Sequence, residues 1–256
     1  WYAPGVGLFT APDPFPGAQT EPGSLQPYLY TSADPVNLVD PSGLFATPDL
    51  PCQQDPEDFS LCLSPGVPEA LMVPFVSQHW LSPAPQYSYS CGPASLLMIL
   101  AYYGLEEPTP QRLSRLVQYS EKQGLLWSYP PFLDPRNFEP LAKGYAQDVL
   151  EKPVITFSGE SWTRHLLERH LQLRTPVIVD VRVRMDTESS SHFVVVIGLK
   201  RENDGECYVG IRDPWETGMS ILVPPLPKWV KWERFKKSWE SRPDGVYRWG
   251  MVIWPY

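Results

Sequence analysis

Long apolar runs are scarce in this chain of 256 residues: the longest unbroken one, Leu96 to Ala101, is six residues, against the roughly 20 a membrane helix needs. No transmembrane segment is expected. Cationic residues are the minority, 21 Lys and Arg against 29 Asp and Glu, for a formal net charge of -8. A surface of that sign repels phosphate backbones and argues against nucleic acid as a partner. Cysteine is limited to four residues, Cys52, Cys62, Cys91 and Cys207. They form no Cys-x-x-Cys pair and have no clustered histidine, so no metal site is expected, and nothing in the chain calls for a cofactor. Cys52 and Cys62 lie near enough in sequence to bridge in an oxidising compartment. The chain opens at Trp1 without a basic start, an apolar stretch and a small-residue cleavage site, and so reads as a piece of a longer one.

Proline, by contrast, is plentiful and unevenly spread. Sixteen of the 31 prolines fall in residues 1–85, which makes the first third a region of turns and extended chain. Within it, residues 45–70 ("FATPDLPCQQDPEDFSLCLSPGVPEA") are rich in Pro, Asp and Ser without a helical or strand period, the pattern of a linker or arm. The expected division is an amino-terminal piece over 1–44, the arm, and a folded domain over 71–256.

That domain becomes regular at "CGPASLLMILAYYG" (91–104). A helix is expected from about Gly92 to Tyr103, with Pro93 in its first turn and Gly104 as its stop; being apolar all round, it must be buried on every side. A second helix is expected from Thr109-Pro110, with Leu113, Leu116 and Val117 on one face, and a third from about Ser161 to Leu173. Residues 124–158 carry no pattern strong enough to place an element. Strands are expected at 176–183, 192–199 and 207–213, with a last one at "GMVIWP" (250–255). Helices first and an antiparallel sheet afterwards make an α+β domain. The stretch 227–240, "PKWVKWERFKKSWE", spaces aromatics between lysines and is expected to be an amphipathic helix packed on the sheet.

Cys91 stands at the start of the apolar helix, where unpaired N–H groups and the helix dipole favour a thiolate. A thiolate nucleophile needs a base. His165 and His170 fall in the charged helix "SWTRHLLERH" and His79 in a loop, whereas His192 opens a strand. The strands 192–199 and 207–213 are joined by "KRENDGE", whose Asn-Asp-Gly is a hairpin signal. Folding that hairpin sets His192 beside Asp213, which can accept a hydrogen bond from the imidazole and fix its tautomer. Each of these residues alone is more often structural; a cysteine at a helix start followed by His and Asp on one hairpin points to nucleophilic catalysis.

"VPFVSQ" (73–78), "CGPASLLMILAYYG", "HFVVVIGL" (192–199) and "RDPW" (212–215) together resemble the papain-fold cysteine peptidases of the bacteriocin-processing type, over about residues 71–256. The resemblance implies a papain-like fold with Cys91 as nucleophile, His192 as general base and Asp213 as orienting acid. It also implies a glutamine ahead of the nucleophile that donates to the oxyanion. Gln78 closes the matching segment, with Gln86 as the alternative nearer to Cys91.

Residues 1–44 carry "WYAPGVGLF", "PDP", "PYLYTSADPVN" and "DPSGL", which resemble the closing segment of the RHS (YD-repeat) core. That resemblance implies a β-cage in the parent chain enclosing a carboxy-terminal effector, and a cut between Leu44 and Phe45 made by the carboxylates of Asp13 and Asp40. Two carboxylates can divide acid and base roles when their environments separate their pKa values; "DPSG" also suits an ordinary β-turn.

The chain is thus expected to be a papain-like cysteine protease serving as the effector domain of an RHS-type polymorphic toxin. Its partners would be a protein or peptide substrate, the parent cage and, as a further candidate, an immunity protein. Its place would be outside the producing cell, at its surface, or inside a target cell. The same triad could instead serve a deamidase or an acyltransferase, and a degenerate cleft could bind peptide without cutting it.

Overall fold

The computed structural model describes residues 70–81, 90–126, 133–182, 191–202, 206–216, 225–240 and 248–256, together with the backbone of four two-residue strands. These strands are β1 (Tyr2–Ala3) paired with β2 (Leu8–Phe9), and β3 (Leu38–Val39) paired with β4 (Thr47–Pro48), both antiparallel. They belong to a first unit, Trp1–Asp58 with Tyr256, and residues Phe59–Pro255 form the second. The division falls inside the stretch read as an arm.

The first α-helix of the second unit is the buried one that the apolar run demands. Helix α1 is Cys91–Tyr102, and every residue from Cys91 to Leu100 is buried. It ends where Gly104 takes a positive φ of 67°, a conformation open to glycine at little cost. Helix α2, Pro110–Lys122, starts as its sequence requires: the Thr109 hydroxyl accepts from the Arg112 N–H, Pro110 fills the first position, and Leu113, Leu116 and Val117 are buried on one face.

Residues 124–158 hold more order than their composition announces. Helix α3 runs Pro135–Asp148, capped by Asp134, and buries Phe138, Leu141, Ala142 and Tyr145. The cue is the Asp-Pro pair, a cap followed by a proline at the first helical position. Pro140 inside the helix obscured the pattern. Strand β5, Val154–Gly159, follows. Helix α4 is Arg164–Gln172, shorter at its start than 161–173 because Thr163 is the cap.

The remaining strands are β6 (Val177–Arg182), β7 (Ser191–Arg201), β8 (Cys207–Arg212), β9 (Lys228–Lys231) and β10 (Gly250–Pro255). With β5 they form one six-stranded sheet in the order β5-β10-β6-β7-β8-β9, antiparallel at each pairing. In β6 and β7 successive residues are buried, not alternate ones, so these central strands are covered on both faces. Helix α1 packs against β7, and helix α5 (Trp232–Glu240) against β6, β8 and β9.

The single amphipathic helix expected over 227–240 is therefore two elements. Lys228–Lys231 completes the sheet edge, and only Trp232–Glu240 is helical, with Trp232, Phe235 and Trp239 buried. Four strand residues satisfy their backbone groups on β8, and the helix begins beyond the edge. Trp229 lies on the strand, where the Lys200 ammonium sits 4.4 Å over its ring. Lysines at this edge also discourage pairing with another chain.

Among the described residues no helix is long and apolar enough to cross a membrane. Cys91 is a free thiol and Cys207 is disulfide-bonded; a pairing of Cys52 with Cys62 concerns residues outside those described.

Candidate active site

Cys91 is the first residue of α1, and its place there depends on how closely the helix start approaches the sheet. A Cβ built on Gly92 would lie 2.8 Å from Leu133 Cδ2 and 3.4 Å from Phe193, so any side chain here would force Leu133 to shift. The Ser95 hydroxyl, one turn on, donates to the Phe193 carbonyl at 3.3 Å, fixing the helix to β7 beside His192. The preceding Ser90 offers no side-chain cap to the helix. The Gly92 N–H instead serves the Cys91 sulfur, as does the backbone of Phe193.

His192 is the second residue of β7 and is 4% exposed; Asp213 follows β8 and is 7% exposed. His192 Nε2 and Asp213 Oδ1 are 2.6 Å apart. The imidazole also hydrogen-bonds Cys91, and with Nε2 turned to the carboxylate, Nδ1 is the nitrogen left for the thiol. The hairpin joining them is not regular. Its last ladder pair is Val195–Arg212, with a register shift between Val196 and Gly198, and His192 faces Val181 across β6. Asp213 therefore reaches back to His192 from just past the strand end, a diagonal contact rather than a directly opposed pair. Ser191, next to the histidine, donates to the buried Asp180 carboxylate at 2.7 Å and steadies that end of β7.

Three shifts follow from this geometry. Burial opposes ionisation of Cys91, but the hydrogen bond and charge of His192, with the Phe193 and Gly92 backbone groups, more than reverse it, and the thiol pKa is lowered. Burial disfavours charge on His192 as well; the bonds and charges of Asp213 and Cys91 outweigh it and raise the imidazole to about 10. Asp213, which burial alone would raise, is lowered to about 2 by His192, the Trp215 N–H and Lys228. A thiolate paired with an imidazolium is the favoured state of such a group.

The segment ahead of the nucleophile is bound into the same frame. Gln78, 1% exposed, opens a 3-10 turn, Gln78–Leu81, that packs against α1. Its backbone N–H donates to the Pro214 carbonyl at 2.9 Å, and the Ser77 hydroxyl donates to the Glu216 carbonyl at 2.9 Å. The turn that carries the glutamine is thus clasped to the loop that carries Asp213. Gln86 lies outside the described residues, as do Asp13, Asp40, Leu44 and Phe45.

The other histidines divide. His165 is exposed on α4. His170 is fully buried, stacked on Trp162 at 5.2 Å with Trp254 and Phe157 beside it, and burial lowers its pKa to about 3. Their sequence reading as helix-surface and helix-packing residues matches these positions. His79 is nearer the site than a plain loop position suggests: its ring is 5.1 Å from that of Trp215, which is in turn 6.3 Å from His192. Trp215 and Lys228 are neighbours that the sequence did not single out. The Trp215 N–H donates to Asp213 Oδ1 at 3.0 Å, and Lys228 Nζ lies 3.4 Å from Oδ2. Adjacency in "RDPW" could have signalled the tryptophan; the lysine comes from another strand and leaves no local signal.

Known proteins add three observations. The model of the Peptidase_C39-like family matches residues 70–244. A crystal structure of a candidate C39-like peptidase from Bacillus anthracis is 17% identical, with 73% of this chain and 98% of that one covered and a TM-score of 0.49. A crystal structure of UfSP from C. elegans is 13% identical, with 73% of this chain and 34% of that one covered and a TM-score of 0.44. No curated protein matches the sequence.

Proposed function

Because the chain belongs to the Peptidase_C39-like family of cysteine peptidases, we propose that Cys91, His192 and Asp213 form a triad that hydrolyses peptide bonds. The Cys91 thiolate attacks the scissile carbonyl carbon, and charge builds on the carbonyl oxygen. The Cys91 N–H and the Gln78 side chain donate to that oxygen. The tetrahedral intermediate collapses as the C–N bond breaks and His192 gives its proton to the leaving amine. A water molecule, deprotonated by the neutral imidazole, then hydrolyses the thioester, expelling the thiolate and restoring the thiolate–imidazolium pair. Asp213 holds the ring and stabilises its charge throughout. The observation that carries this reading is the continuous hydrogen-bonded line from the thiol at the start of α1 through His192 to Asp213.

We propose further that this domain is the effector of an RHS-type polymorphic toxin, secreted or delivered into a target cell. The motifs of residues 1–44 support that reading. In it, Asp13 and Asp40 cut between Leu44 and Phe45 and free the peptidase from the parent cage.

Both parts are tested by intact-mass analysis of wild type, Cys91→Ala and Asp13→Asn after incubation with a denatured protein mixture. Peptides released by wild type and Asp13→Asn but not by Cys91→Ala are expected. A one-dalton gain at glutamine without chain cleavage would make the enzyme a deamidase, and unchanged substrates would favour acyl transfer or a peptide-binding module. A chain beginning at Phe45 that forms in wild type and not in Asp13→Asn is the expected mark of self-cleavage.

A further inference from the structure

Beside the buried His192–Asp213 pair lies a cleft of about 590 Å³ lined by His79, Trp215, Glu216, Pro225, Leu226 and Lys228. Two of its residues are large apolar side chains open to solvent, Trp215 at 40% and Leu226 at 86% exposure. Single exposed apolar residues are ordinary on a protein surface; here two share one concavity with a proline, next to the proposed general base.

The chemistry says which part of a substrate would lie there. His192 must hand its proton to the leaving nitrogen, so that nitrogen comes within hydrogen-bond reach of the imidazole. The chain that begins at the nitrogen then runs along the histidine side of the site. Trp215 is 6.3 Å from His192, centroid to centroid, a span that about two extended residues cover. The first side chain after the cut therefore falls within reach of this cleft.

The lining also says what kind of side chain fits. Glu216 and Lys228 are of opposite sign, and the Lys228 ammonium is already 3.4 Å from Asp213 Oδ2. The carboxylate of Glu216 is faced by Asp213 as well as by Lys228 and Arg212. The walls thus mix charges of both signs, favouring neither an acidic nor a basic substrate group, while Trp215, Leu226 and Pro225 offer apolar surface.

We infer that this cleft binds the side chain of the residue that follows the scissile bond and selects a large apolar one. The inference rests on the protease reading and gives it a substrate class: peptides with Leu, Ile, Met, Phe or Tyr immediately after the cut. Burying such a side chain is expected to favour it over Gly or Asp by about tenfold or more in kcat/KM.

The test is cleavage-site profiling by mass spectrometry on a proteome-derived peptide mixture, with wild type, Cys91→Ala, Leu226→Glu and Leu226→Lys. Wild type is expected to cut, in a Cys91-dependent manner, ahead of large apolar residues. Leu226→Glu is expected to shift the preference after the cut toward Lys and Arg, and Leu226→Lys toward Asp and Glu, with the preference before the cut unchanged. At such an exposed position substitution costs the fold little, and thermal melts of both variants check this. Cuts with no preference after the bond, or the wild-type profile in both variants, would overturn the inference and leave the protease reading standing. No Cys91-dependent cut at all would overturn the reading and the inference together.

Discussion

His192 Nε2 and Asp213 Oδ1 are 2.6 Å apart although the two residues are not ladder partners. The contact is held from outside the ladder, by the Trp215 N–H on the carboxylate and by the clasp of Ser77 and Gln78 on the Pro214–Glu216 backbone. A carboxylate placed in this way fixes a ring by charge as well as by hydrogen bonding. Asp213→Asn keeps the shape and removes the charge, and it is expected to lower kcat by about 10²-fold or more with a smaller change in KM. Steady-state kinetics on a quenched peptide checks this; an unaltered kcat would remove Asp213 from the machinery.

The two perturbed groups at the centre set a pH window for activity. The reactive pair exists above the pKa of Cys91, which is lowered, and below that of His192, raised to about 10. The rate of Cys91 alkylation by iodoacetamide should therefore already be high below the usual thiol range near 8.5. In His192→Gln the rise should move up toward that range. A wild-type profile that rises only there would exclude the ion pair.

Buried His170 gives the fold a sensitivity to acid. Its pKa in the native state is about 3 against an ordinary 6.5, so below 6.5 the unfolded chain takes up a proton that the native chain refuses. Stability present above pH 6.5 is thus lost progressively as pH falls toward 3, at up to ~1.4 kcal/mol per pH unit. His170→Phe keeps a ring among Trp162, Trp254 and Phe157 and should flatten the curve between about pH 6.5 and 5, before the carboxylates titrate. Urea midpoints across that range measure it, and the same slope in both proteins would exclude His170 as the cause.

Asp213 acts in a lower window. Its pKa falls from 3.8 to about 2 on folding, so its contribution is present above about pH 4 and lost as pH falls through 2. The Asp213→Asn variant should be less sensitive than wild type to acid between those values, read by far-UV circular dichroism. An identical midpoint of acid unfolding would contradict the assignment.

A side chain at Gly92 should strain the start of α1. The Cβ of Gly92→Ala would meet Leu133 Cδ2 at 2.8 Å, and overpacking of that kind costs about 1–3 kcal/mol. Because the strain falls on the residue after Cys91, the rate of thiol alkylation should fall together with Tm. Adding Leu133→Ala should recover part of the stability, and a double-mutant cycle reads the coupling. Simple additivity would show that the contact is not the source of the strain.

The sequence made α1 legible because its signals agree: an unbroken apolar run, a proline in the first turn and a terminal glycine. The His–Asp hairpin was legible because Asn-Asp-Gly separates two apolar strands, although the register shift between Val196 and Gly198 lies beyond any turn signal. Helix α3 was hidden because Pro140 lies within it, although Phe138, Leu141, Ala142, Tyr145 and Ala146 fall on one stripe at helical spacing. Strand β9 was absorbed into a helical reading because four residues are too few to display a period of two before Trp232 begins one of 3.6. Trp215 and Lys228 complete the site from a loop and a distant edge strand, and such proximity is created by the sheet order.

A strap ahead of α1 ties the catalytic hairpin to residues far from it in sequence. The Leu71 N–H donates to the Ile197 carbonyl, Arg212 Nε donates to the Val73 carbonyl, and Ser77 with Gln78 closes the clasp on the Pro214–Glu216 loop. These bonds join residues more than a hundred positions apart to both strands of the catalytic hairpin. Trimming that stops ahead of Leu71 leaves each of them in place, whereas trimming beyond Val73 removes the acceptor that holds Arg212, one residue before Asp213. Removing that strap is expected to loosen the hairpin that carries His192 and Asp213.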